Sequence, residues 1–186
     1  MRLLNIFWIA LIPSIVFISC NSGKKSNEET ETKEAQIEAI DELEQELFTN
    51  VDSPMNKDSA KLLIKRYVKF ADEFPKEDSL ASNYLFKAAR VDLALQEHNT
   101  ALKRLKRIEA TYPESSYMPQ VLIFRGTIYE DNLKDYNKAE KAYQRLVDEY
   151  PESEFADDAE ALIKTLGKDL NEIIEGFEKQ DTTVAS

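Results

Sequence analysis

The sequence predicts an all-α fold, a solenoid of helical hairpins of about three repeats with N- and C-terminal helices, and three observations carry that expectation. The first is a period. Phe74-Pro75, Tyr112-Pro113 and Tyr150-Pro151 follow one another at intervals of 38 residues. Over positions 98–115, eight residues are identical to those one period later: Asn99, Ala101, Lys103, Arg107, Tyr112, Pro113, Glu114 and Ser115 meet Asn137, Ala139, Lys141, Arg145, Tyr150, Pro151, Glu152 and Ser153. The first copy is weaker and keeps Lys65, Arg66, Phe74 and Pro75. A fixed period of this size marks units that bury their apolar faces against one another. The second observation is an amphipathic run before each proline, for example Leu63, Tyr67, Phe70 and Phe74. Proline cannot continue a helix and pushes its predecessor out of the α region, so each run must stop there. The third is composition: 4 Gly and 6 Pro among 186 residues leave too few turn-formers for a β fold.

The elements follow in order. Residues 1–19 read as an export signal: Arg2 supplies the positive charge, Leu3 to Ile18 is nearly all apolar, and Pro13 interrupts a run already short for a bilayer span. Its end, Phe17-Ile18-Ser19-Cys20, resembles the lipobox of bacterial lipoproteins, with Phe17 standing where Leu is usual. That resemblance implies that Cys20, the only cysteine, is acylated and anchors the chain. Asn21 is not the usual inner-membrane retention residue Asp, so the expected location is the outer membrane, lipid-anchored and facing the periplasm. Residues 20–33 read as a disordered, acylated tether with no apolar side chain larger than a methyl beyond Cys20. Residues 34–49 carry Ile37, Ile40, Leu43 and Leu47 on one stripe, an amphipathic helix. Two uses are open for it: packing on the array as a cap, or weak homo-oligomerisation as a short coiled coil. Ser53 and Pro54 are the expected start of the next helix.

Residues 56–179 form the repeat domain with a C-terminal capping helix, and 180–186 a tail. Ser79, Ser115 or Ser116, and Ser153 are the expected caps of the helices that follow each proline. Those helices carry Tyr84, Ala88 and Val91; Leu122, Gly126 and Tyr129; and Ala159, Leu162 and Leu166, with Ala88 and Gly126 letting paired helices approach closely. Leu122, Gly126, Tyr129, Ala139, Tyr143 and Pro151 resemble the tetratricopeptide repeat (TPR) position for position, apart from a longer loop at Asp131 to Asp135. The resemblance spans roughly residues 59–167 and implies an interaction scaffold. The layout is similar to that of TPR lipoproteins of the bacterial envelope. Two members invite comparison, one in the outer-membrane assembly machine and one coordinating division with the Tol–Pal system. This chain is too short for the first, and its N-terminal helix is too short and acidic for the second.

Composition excludes most chemistry. One His and one Cys leave no His pair, no CxxC and no disulfide, so no catalytic set, cofactor or metal is expected. His98 reads as a loop imidazole, and the acids around Glu42 and Asp157 as solvated faces. A net charge of −11 without a long basic run argues against nucleic acid. Lys103, Arg104, Lys106 and Arg107 alternate with Leu102, Leu105 and Ile108 and read as the outer face of one helix. The expected partner is a protein, an extended or helical segment seated in the TPR groove. By alignment the groove is lined by Leu85, Ala89, Asp92, Ile123, Thr127 and Glu130. These lack the cations of a carboxylate clamp. The resulting expectation is a scaffold in envelope or outer-membrane assembly; a division or envelope-integrity coordinator, or a docking module for peptidoglycan or a small ligand, is the alternative.

Overall fold

The computed structural model describes residues 31–49, 55–169, 171, 172 and 174. The signal segment, Cys20, Ser53, Pro54, the end of the capping helix and the tail lie outside them. Seven α-helices are present among the described residues: α1 Lys33–Phe48, α2 Lys57–Glu73, α3 Asp78–Ala94, α4 His98–Thr111, α5 Met118–Thr127, α6 Tyr136–Glu149 and α7 Ala156–Thr165. A π-helical turn, Ile128–Asn132, extends α5. It takes up Asp131 and Asn132, the first two residues of the loop expected at Asp131 to Asp135.

The helices pair as α1 with α2, α3 with α4, and α5 with α6, and α7 closes the end. The fold is therefore an all-α helical-hairpin solenoid of three hairpins. Three aromatic-proline joints divide it. Phe74, Tyr112 and Tyr150 share one backbone geometry, with φ of −122°, −129° and −136° and ψ of 54°, 56° and 54°. In each, the amide three residues on donates to the aromatic residue's carbonyl, at 3.0 to 3.1 Å. The joint is thus one device used three times.

The N-terminal helix is not an appendage. Ile40 is fully buried among Leu63, Ile64 and Tyr67, and Ile37, Leu43 and Leu47 pack on the same cluster. α1 is the first helix of the first hairpin. Its apolar stripe packs on α2, so of the two uses the sequence left open for residues 34–49 the structure has the packing one. The helix also begins earlier than expected. Thr32 Oγ1 caps it by accepting from the Ala35 amide at 3.2 Å, and Glu31 binds Arg66 and Lys69 of α2 at 2.8 and 2.9 Å. Residues 31–33 therefore belong to the domain rather than to the tether.

Two other local expectations change. Asn56 caps α2, its Oδ1 accepting from the amides of Asp58 and Ser59. Ser79 caps nothing, because α3 already starts at Asp78 and no side chain accepts from the amides at its N-terminus. Ser115 and Ser153 do work as equivalents, each accepting at 3.2 Å from the amide two residues ahead, at the entrances to α5 and α7. His98 opens α4 rather than lying in a loop.

The core runs continuously in three overlapping clusters. The first joins α1, α2 and α3 through Tyr67, Phe70 and Tyr84; the second joins α2 to α5 through Leu85, Leu105 and Met118; the third joins α5, α6 and α7 through Leu122, Tyr143 and Ala159. Tyr143 is fully buried, and a Cβ added to Gly126 would lie 2.6 Å from its Cδ1. Here only glycine lets the two helices meet.

Candidate functional site

Successive hairpins stack like with like. Lys87 of α3 reaches Glu44 of α1, and Phe86 of α3 meets Phe124 of α5 edge-on at 5.5 Å. Arg107 of α4 reaches Asp72 of α2 at 2.7 Å, and Arg145 of α6 reaches Glu109 of α4. The first helices of the hairpins thus form one row and the second helices another.

The six residues expected to line a groove do not share one surface. Leu85 and Ala89 are fully buried and Asp92 is 3% exposed. Leu85 and Ala89 face α4 and the next hairpin, in contact with Leu105 and Val121. Asp92 is turned inward to Arg104 of α4. Burial pushes its carboxyl above the ordinary range, and Arg104 only partly offsets this. Ile123, Thr127 and Glu130 are half-buried. Thr127 Oγ1 donates to the Ile123 carbonyl at 2.9 Å, and Glu130 accepts from the Tyr143 hydroxyl at 2.8 Å. The groove register along α3 is therefore wrong by one step around the helix. Its open side carries Asn83, Lys87, Arg90 and Ala94.

That open side faces a hollow of about 370 Å³ between α1 and α3, lined by Glu44, Phe48, Met55, Tyr67, Lys87, Arg90, Val91 and Ala94. Glu44 organises its floor. It accepts from the Tyr67 hydroxyl at 2.8 Å and from Lys87 Nζ at 2.8 and 3.0 Å. Lys87 also lies 5.6 Å over the Tyr84 ring, itself stacked on Tyr67 at 5.5 Å. Burial, with Asp41 and Glu44 nearby, pushes the Tyr84 hydroxyl up to about 12. Burial and the bond to Glu44 raise Tyr67 further. Both phenols stay protonated at neutral pH and act as donors and platforms. At the rim, Phe48 is half exposed and Arg90 is exposed. The chemistry on offer is recognition: apolar wall, aromatic floor, exposed guanidinium. Sequence reading missed this site because α1 was not seen as part of a hairpin, so its Glu44 and Phe48 had no α3 to face.

The basic run on α4 also divides. Arg104 and Arg107 turn to Asp92 and Asp72, while Lys103 and Lys106 remain exposed. Among the described residues no cluster of His, Cys, Asp and Glu could hold a metal ion, and no helix is long and apolar enough to cross a membrane.

A row of first helices over a row of second helices defines a repeat scaffold of helical hairpins. Residues 84–115 and 125–153 each match the tetratricopeptide repeat family. These segments fall on the second and third hairpins, and repeats of this kind suggest a protein–protein interaction module. No curated protein matches the chain.

Proposed function

We propose that the chain is a lipid-anchored envelope scaffold whose first-helix face grips a segment of a partner protein. The observation that carries the binding reading is the α1–α3 hollow. Half-exposed Phe48 and exposed Arg90 border an apolar wall of Met55, Val91 and Ala94, which suits an apolar anchor residue beside a carboxylate. The anchoring reading rests on sequence: Ser19-Cys20 after an apolar run, and Asn21 behind it, favour an acylated Cys20 in the outer membrane with the domain in the periplasm. A role in envelope or outer-membrane assembly follows from that location.

Two experiments test it. Cys20→Ala should leave an uncleaved precursor without palmitate; persistent label sinks the anchor. Photocrosslinking from position 48 in intact envelopes should trap a protein partner, and Arg90→Glu should cut its capture at least about tenfold, the scale of one interfacial hot-spot residue. Capture that survives both Phe48→Ala and Arg90→Glu rejects the hollow as the binding site.

A further inference from the structure

The repeat period places lysines in register on the second-helix face. Lys65, Lys103 and Lys141 stand at 38-residue intervals, on α2, α4 and α6. All three are exposed, and among the described residues none has a carboxylate within ion-pair distance. One turn further on, at the same interval, a second row behaves oppositely. Lys69 is paired with Glu31, Arg107 with Asp72, and Arg145 with Glu109 and Glu149. The neighbours reinforce the first row. Lys61 and Lys106 are exposed beside it, and Leu62 is 45% exposed next to Lys61 and Lys65. The second-helix row is richer in bases, though unevenly: α2 carries five against Asp58, Asp72 and Glu73, α4 carries Lys103, Arg104, Lys106 and Arg107 against Glu109 alone, and α6 carries three against Glu140, Asp148 and Glu149, while α1 carries Glu34, Glu38, Asp41, Glu42, Glu44 and Glu46 against Lys33 alone.

We infer that this face lies on an anionic phospholipid bilayer, with the first-helix face turned away from it. Charge complementarity is one reason, in a chain whose net charge of −11 would otherwise repel such a surface. The proposed acyl anchor, which would hold the domain at a membrane, is the other. Each basic residue held near an anionic surface favours contact about fivefold, falling off within a Debye length of about 10 Å at 0.1 M salt. The protein-binding hollow, on the other row, stays open to a partner.

The inference takes its proximity from the anchored reading, and one experiment separates the two. The full chain is reconstituted into neutral phosphatidylcholine vesicles or vesicles containing phosphatidylglycerol, floated, and footprinted by lysine acetylation. Flotation with neutral vesicles reports the anchor; a chain that does not float loses the anchored reading, and its footprint with added vesicles still reports the face. In the anionic vesicles Lys65, Lys103 and Lys141 should label at least about fivefold more slowly than in neutral ones, and 1 M salt should abolish the difference. Lys164, at the end of the array, should label equally in both. The triple variant Lys65→Glu, Lys103→Glu, Lys141→Glu, with an unchanged melting curve, should lose the protection of Lys61 and Lys106. Equal labelling in both vesicle types overturns the inference. So does stronger protection by polyaspartate than by the anionic bilayer, which would assign the row to an acidic protein.

Discussion

Asp92 shows how one side chain can be misplaced by alignment and then explained by its surroundings. A carboxylate at a position that lines the groove in aligned repeats is here sealed under α4 and neutralised by Arg104. Removing the partner of a buried charge costs more than the pair contributes, so Arg104→Ala should destabilise by about 3 kcal/mol, and Asp92→Asn added to it should restore most of the loss. The pH dependence has a definite sign. Burial raises the folded-state pKa of Asp92 above its ordinary value, so folding favours the protonated form, and stability rises as pH falls through the raised folded-state value and levels off below the ordinary one. The deficit of Arg104→Ala should therefore shrink on going from pH 7 to pH 5 in urea melts; a deficit that grows would refute the pairing. At Gly126 the test is steric. A methyl there overlaps the Tyr143 ring, and Gly126→Ala should cost about 1–3 kcal/mol by overpacking, despite the better helix propensity of alanine.

At the scale of elements, the turns inside the hairpins are as regular as the joints between them. Gln96 and Lys134, one period apart, both lie in the left-handed region, at φ 65° and 53°. Gln96 completes a helix C-cap in which the Glu97 amide donates to the Asp92 carbonyl and the Gln96 amide to the Leu93 carbonyl. A glycine fits that backbone better, and Gly167 already sits so after α7, at φ 71°. Gln96→Gly and Lys134→Gly should each stabilise by about 0.5–1 kcal/mol, read as a shift of the denaturation midpoint. This is also where legibility from sequence divides. The aromatic-proline joints, the close contact at Gly126 and the burial of Tyr143 were readable, because proline, glycine and a repeated aromatic each impose one backbone or packing solution. The hairpin turns were not, since Gln and Lys give no sign of positive φ. Nor was the role of α1: its link to α2, residues 49–56, is longer than the three-residue turn 95–97, which hides it from the period. The lining of the candidate site followed α1 into obscurity.

For the molecule as a whole, buried phenols set an alkaline limit. Tyr67, Tyr84 and Tyr143 all have hydroxyls raised above 10, chiefly by burial. Above pH 10 the unfolded chain ionises where the folded one resists, so stability present below that value is lost as pH rises, by up to about 1.4 kcal/mol per unit for each tyrosine. Tyr143→Phe should flatten that slope by one residue's share in pH-dependent melts. A chain whose stability does not change from pH 10 to 11 would place these hydroxyls in water.

The array also ends asymmetrically. α1 lies within the first hairpin against α2, whereas α7 is the last of the seven helices and packs on α6. In a stack held by nearest-neighbour interfaces, a unit with one neighbour opens more cheaply than a unit with two. Deuterium should therefore enter the amides of α7 first and those of α3 last, as a gradient along the chain rather than a single cooperative loss. Such a ratchet gives the solenoid a soft end and a hard middle. The hollow between α1 and α3 borders the part that exchanges slowest, so a partner held there can come and go without waiting for the scaffold to unfold.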